Sequence, residues 1–372
     1  MKCKLSDICD FRKGKVDVSK LTLKTYISTE NMLPNKGGIT EASSLPTIQL
    51  TQEYKKGDVL VSNIRPYFKK IWRAKYDGGC SNDVLVFKGN SNIDGDFLYY
   101  VLANDEFFDY SMATSKGTKM PRGDKTSIMQ YEASLIDLQV QKKIASVLKV
   151  LDEKIELNNE INNNLEQQAQ AIYQQMFIDN ARSDWKEGTL SDIADITMGQ
   201  SPSGSSYNDD GNGTIFFQGR AEFGFRFPTV RLYTTEPKRM ACANDTLMSV
   251  RAPVGDLNVA HNDCCIGRGL AAIHSKTNHQ SFVLYTMFSL KKQLDVFNGE
   301  GTVFGSINRN SLNEMPILIP SNESLDKFEQ IVAPMDLAIR NNYDEICRLQ
   351  DIRDNLLPRL MSSELNVSNI DL

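Results

Sequence analysis

Apolar positions along this chain follow two different periods. Short runs rich in β-branched and aromatic residues, DVLVS (58–62), DVLVF (83–87), TIFFQ (214–218) and DTLMSV (245–250), are bounded by turn residues and read as strands. Helical stretches accompany them, FLYYVLANDEFF (97–108) and FVLYTMFSLKKQL (282–294), which makes the surrounding segments α+β domains. The period then changes to alternating steps of four and three. Ile144, Leu148, Leu151, Ile155, Asn158, Asn162, Leu165, Ala169, Ile172 and Met176 form one such seam. Phe328, Val332, Met335, Ile339, Asn342, Ile346, Leu349, Arg353, Leu356 and Leu360 form another, at a constant offset of 184. A stripe sustained for more than four heptads between Glu, Gln, Asn and Lys flanks is the seam of a coiled coil, and two in one chain can satisfy each other. About 35 residues at 1.5 Å each make a rod of roughly 50 Å. Pro334 marks a place for a kink or a later start in the second helix.

The strand-bearing segments repeat as well. LSDICD (5–10) recurs as LSDIAD (190–195), and TYISTEN (25–31) faces IFFQGRA (215–221) after the longer loop GQSPSGSSYNDDGNG. Asp58, Leu60 and Ser62 face Asp245, Leu247 and Ser249; Cys80 faces Cys265, Phe97 faces Phe282, and Gly117–Thr118 faces Gly301–Thr302. Offsets that drift only at Gly-rich or polar segments are those of a duplicated domain. The expected fold is therefore α+β, with two globular mixed α/β domains (1–139 and 179–321), two long antiparallel coiled-coil helices (140–178 and 322–361), a tail (362–372) and an internal pseudo-two-fold repeat. Asn158 and Asn342 coincide in the seam, where a buried polar residue fixes register.

Composition narrows the function. The 372 residues suit two cores. No apolar run is long enough for a membrane span, and MKCKLSDICD lacks the apolar core of a secretory signal, so a cytoplasmic protein is expected. Seven cysteines without C-x-x-C spacing argue against a disulfide framework or a zinc knuckle. The net charge of −5 is uneven, with +3 on residues 1–139 and −5 on residues 322–372. Local patches rather than the total contact phosphates, and a basic partner can supply what this chain lacks.

Enzyme motifs are sparse. Phe297, Gly299 and Gly301 make an FxGxG of the kind that holds adenosylmethionine, but it follows a helical stretch, and no N-P-P-Y or D-P-P-Y accompanies it. There is no G-x-x-x-x-G-K-[ST] phosphate loop, and His261, His274 and His279 lack metal-ligand spacing. These absences favour a binding protein, needing no cofactor or metal of its own, over an enzyme such as a self-sufficient adenine methyltransferase with a fused recognition domain.

GQSP, FFQGRAEF, RLYTTEP, DTLMSVRAPVGDLN and CIGRGLAAI, between Gly199 and Ile273, resemble the target-recognition domain of type I restriction-modification specificity subunits. TYISTENM and GDVLVSNIRPYF resemble the same elements, and EKIELNNEINNNLEQQAQAIYQQMF and IRNNYDEICRLQDIRDNLLPRLMS resemble that family's spacer helices. The resemblance implies that each domain reads half of a bipartite double-stranded DNA site and that the helices set the gap. It also implies two methyltransferase subunits and restriction (translocase/nuclease) subunits as partners, which would carry adenosylmethionine and ATP.

Base edges are read by Arg, Lys, Asn, Gln, Ser and Thr, so candidates are polar residues on loops between strands. In the first domain these are Ser28, Thr29, Asn31, Arg65, Tyr67, Lys69, Lys70, Lys116, Thr118, Lys119 and Arg122. In the second they are Gln218, Arg220, Arg226, Arg251, Arg268, Thr302, Asn308 and Arg309. The glycines of SVRAPVG and GRG fit a tight turn or a close phosphate approach. Because each copy has its own strands, loops and helix, replacing residues 1–139 by a homologous domain should change one half-site only. Methylation mapping of the assembled chimera checks this; altered bases in both halves would refute it.

Overall fold

The computed structural model describes residues 2–134, 136–299, 305–362, 364, 365 and 367. They form two compact units, Met1–Leu157 with Glu345–Leu372, and Asn158–Asp344. Two long helices, Leu138–Tyr173 and Asn322–Met361, each contribute residues to both units, and the second runs through Pro334 as one element.

The first unit centres on an antiparallel sheet ordered Cys9–Phe11, Val84–Gly89, Val59–Ser62, Ile71–Arg73. Its inner strands carry the unbroken apolar runs VLV and VLVF, so the pleat sends apolar side chains to both faces. Val59, Val61, Leu85 and Phe87 pack with Phe97, Phe107, Ile144, Leu148, Leu357 and Leu360, which puts helices on that face. Leu60, Val84 and Val86 pack the other way, with Trp72, Ile27, Tyr54 and Cys80. The last three belong to a second sheet, ordered Lys15–Asp17, Leu50–Tyr54, Gly78–Cys80, Tyr26–Ile27, whose final pair is parallel. Asp94 starts the helix Gly95–Ala103 by accepting from the backbone N–H of Asp96 and Phe97, both at 3.0 Å.

The second unit repeats this plan. Its antiparallel sheet is ordered Ala194–Met198, Leu270–Ser275, Thr246–Ser249, Leu257–Val259. Met248, Ala271 and Ile273 face the helices, with Phe282, Tyr285, Phe328 and Val332. Leu247, Leu270 and Ala272 face Phe217, Cys264 and Ile266 of a five-stranded sheet, which again contains one parallel pair, Thr214–Phe217 with Cys264–Ile266. The repeated LSDI has a local cause. In each copy the Leu and Ile are buried, and the Asp accepts from the backbone N–H three residues back, Asp7 from Lys4 at 2.9 Å and Asp192 from Thr189 at 2.7 Å.

Within each unit the long helices pack along the expected seam. Phe177 lies 4.9 Å from Phe282 and 5.1 Å from Phe328, ring centre to ring centre, closing the second unit's core. Asn342 donates to Asn162 Oδ1 at 2.8 Å, and Asn158 and Asn162 are both buried, so the polar part of the seam extends beyond the Asn158 and Asn342 singled out by the repeat. Replacing Asn342 by Leu takes this donor from a buried carbonyl oxygen and should destabilise the chain by about 1–3 kcal/mol, whereas Asn162→Leu with Asn342→Leu should be close to neutral or stabilising. Urea unfolding of the full chain measures both; an equal or larger loss in the double variant would show that the amide bond contributes nothing beyond packing.

Candidate nucleic-acid interface

Loops from distant parts of the first unit meet at one surface. Arg65 and Lys69 both adopt φ of 51°, a left-handed conformation that bends the chain on either side of the turn Pro66–Phe68. The turn presents Tyr67 and Phe68, 48% and 38% exposed. It is tied to the loop holding Lys116–Arg122, since Arg65 N–H donates to Pro121 O at 2.8 Å and Ile64 bridges to Arg122. It is tied to the loop holding Ser28–Asn31 as well, because Lys70 Nζ donates to Thr29 O at 2.6 Å. Gly117 at φ 92° allows the tight turn that leaves Thr118 and Lys119 exposed. Ser28, Thr29, Glu30, Glu41, Ser81 and Asp83 line a polar cleft of about 460 Å³. Its carboxylates would repel phosphate and can accept from a base amino group.

In the second unit the converging segments contain Gln200–Ser201, Gln218–Arg220, Arg251, Arg268 and Asn308–Arg309. Gln218 O accepts from Gly269 N–H at 3.3 Å, Ser201 Oγ from Arg268 N–H at 3.3 Å, and Arg251 bridges to Ser306. A Cβ on Gly267 or Gly269 would lie 2.8 or 2.9 Å from Gln218 O, and one on Gly199 would lie 2.1 Å from Gly267 O. These glycines are thus required by strands of the protein approaching one another. Gln218, Arg220, Arg251, Arg268 and Arg309 are exposed. Arg220 is held by Asp256, while Arg251, Arg268 and Arg309 form no ion pair with the described residues. Thr302, with Gly301 of the glycine loop, lies outside the described residues.

Several candidates have their polar groups engaged within the protein. Arg226 is corrected outright: at 4% exposure it is buried against the long helices, 3.2 Å from Asp336, 3.1 Å from Tyr285 Oη and 3.6 Å from Glu166. Burial opposes its charge, and Tyr285, Asp336 and Glu166 outweigh it and raise the guanidinium above its ordinary value. Asn31 is also buried; its amide donates to Tyr26 O at 3.1 Å and Thr40 O at 2.9 Å, and its oxygen accepts from Ser28 N–H at 2.6 Å. Asn308 accepts from Ser311 N–H at 2.9 Å, capping a short helix. Lys69 pairs with Asp105 at 2.9 Å, and burial lowers the Lys70 amine below its ordinary value. Lys116 holds the Asp124 carboxyl down at about 2, and Arg122 lies 3.4 Å from Asp83. Ser201 joins this surface by its bond to the Arg268 backbone and is not among the sequence candidates, because GQSPSG reads as a loop insertion.

The histidines pair separately with Asp344, Asp245 and Asp326, at 2.7, 2.5 and 3.0 Å. Among the described residues there is no cluster of three potential metal ligands.

The sequence model of the type I restriction modification DNA specificity domain matches twice, over residues 1–167 and 182–340. The chain is 28% identical over 340 residues to the putative type I restriction enzyme MjaX specificity subunit of Methanocaldococcus jannaschii, covering 84% of this chain and 79% of that one. It is 24% identical, over an alignment of 451 positions, to the type I restriction enzyme HindI specificity subunit of Haemophilus influenzae, covering 97% and 98%. The crystal structure of a type I restriction-modification system S subunit from M. genitalium shares the fold, with a TM-score of 0.59, 17% identity and coverage of 97% and 96%. Because both copies of its repeat are matched in order and along nearly their whole length, the chain belongs to the type I restriction-modification DNA specificity family.

Proposed function

We propose that this chain is the DNA sequence-specificity subunit of a type I restriction-modification complex, each unit reading one half of a bipartite double-stranded site. Two methyltransferase subunits and the restriction (translocase/nuclease) subunits are its partners, and they bring adenosylmethionine and ATP. The chain contributes recognition and positioning, and no catalytic step is assigned to it. We place it in the cytoplasm; no helix of the described residues is long and apolar enough to cross a membrane.

The observation that carries this reading is the repetition of one surface. In both units, loops separated in sequence are tied together by backbone hydrogen bonds and present cations with Ser, Thr or Gln. That combination serves two kinds of contact: cations position the phosphates, and short polar side chains meet base edges. Ser28, Thr29, Arg65, Tyr67, Thr118, Lys119, Gln218, Arg251, Arg268 and Arg309 are the retained candidates. Lys116, Arg122 and Arg220 require exchange of their carboxylate partners for phosphate. With a net charge of −5, the chain gains its affinity for DNA in assembly with a basic partner.

Incubation with labelled adenosylmethionine and DNA tests the assignment directly. The purified chain should transfer no methyl group, and addition of the methyltransferase subunits should give methylation at one two-part sequence. Transfer by the chain alone would overturn the recognition-only reading.

Arg251→Ala and Arg268→Ala, assayed in the assembled complex, separate the kinds of contact. Loss of a phosphate contact should weaken binding to all sequences and reduce the slope of log affinity against log salt by about 0.9. Loss of a base contact should cost about 1–3 kcal/mol and relax selectivity at one position. Unchanged affinity, slope and selectivity in both variants would remove these residues from the interface.

A further inference from the structure

The two copies of the repeat carry the same hydrogen bond where strand-bearing domain meets long helix. In the first unit Tyr100, on Gly95–Ala103, donates to Asp152 Oδ2 at 2.7 Å. In the second unit Tyr285, on Gln280–Ser289, donates to Asp336 Oδ1 at 2.9 Å. The tyrosines are 185 residues apart and the aspartates 184, matching the offsets of the surrounding helices, so one contact is present twice. Both tyrosines are buried, 3% and 1% exposed.

A partly buried carboxylate is stabilised by a cation beside it, and each of these two aspartates has one. The copies differ in where that cation comes from. In the first unit the long helix supplies it: Arg353, 8% exposed, places one guanidinium nitrogen 2.8 Å from Asp152 and Nε 2.9 Å from Asp354. The counterpart of Arg353 at the offset of 184 is Ala169, fully buried and unable to supply charge. In the second unit the strand-bearing domain supplies the cation instead, as Arg226, between Asp336, Tyr285 and Glu166. At the offset of 190 that aligns the preceding strand, Arg226 faces Lys36, which pairs with Asp105 at 2.9 Å and reaches Asp354 of the long helix at 3.9 Å but makes no ion pair with Asp152.

We propose that Arg226 and Arg353 are positioning residues for DNA reading: each completes a Tyr–Asp–Arg lock that orients one recognition domain on its own helix segments. Because the arginine comes from opposite sides of the two locks, each domain is matched to its seat. A domain lacking Arg226, placed beside Ala169, leaves Asp336 and Glu166 without their cation. A domain bearing Arg226, placed beside Arg353, sets two guanidinium groups at one carboxylate. This rests on the proposed recognition function, so the test has one readout that needs no DNA.

Spin labels on unnatural amino acids at Thr235 and Gln330, both exposed and both in the second unit, report how that domain sits on its helices. The variants are Arg226→Met, and Arg226→Ala combined with Ala169→Arg, which moves the arginine to the helix as in the first unit. Met should broaden the distance distribution of the full chain, and in the assembled complex the second half-site should lose selectivity while the first is retained. Moving the arginine to the helix should restore both. An unchanged distribution with altered half-site selectivity would place Arg226 at the DNA and overturn the lock. A broadened distribution with unaltered selectivity would overturn its role in reading. If Arg226→Met does not fold, the relocated variant decides alone, and failure to recover either readout overturns the proposal. Absence of any two-part methylation site in the wild-type complex would refute the recognition function, while the label distances would still report on the lock.

Discussion

A sheet that is apolar on both faces cannot stand by itself, and that constraint organises each half of this protein. Val59–Ser62 and Val84–Gly89 in one unit, Thr246–Ser249 and Leu270–Ser275 in the other, send alternate side chains into two separate cores. One face takes a second sheet, the other takes helices, and the long helices are part of that cover. The loops at the strand ends carry the candidate side chains.

Much of this was legible in the sequence, and for physical reasons. Repetition of LSDI, of the strands and of the heptads reports a duplicated fold, since each element has local causes, such as the Asp caps and the alternation of apolar side chains. Long periodic helices are visible because every third or fourth residue must be apolar to be buried. The candidate surface was only partly legible. Arg226 reads as a loop arginine beside a recognition motif, yet its environment is decided by Asp336, 110 residues away, and Glu166, 60 residues away, which no local pattern announces. Asn31 and Asn308 have side chains suited to adenine, and the same donors and acceptors suit their own backbone neighbours equally well.

The glycines of GRG show a related ambiguity. Glycine at a DNA-binding surface is compatible with close approach of phosphate, but here the approaching groups are Gln218 O and the backbone around Gly199. The motif holds the loops that carry Arg268 and Gln218 in register with one another. Its glycines thus have a cause inside the protein, independent of any ligand.

Arrangement along the chain also has a consequence for synthesis. The second unit is one uninterrupted segment, whereas the first is built from residues at both extremes, with Leu357, Leu360 and Met361 buried in the same core as Val59 and Phe87. During translation the second unit can complete its core when residue 344 has emerged. The first, although begun earlier, must wait with part of its apolar face uncovered until the end of the second long helix arrives. The half made first is thus the half that closes last, with its apolar surface exposed for longer during synthesis.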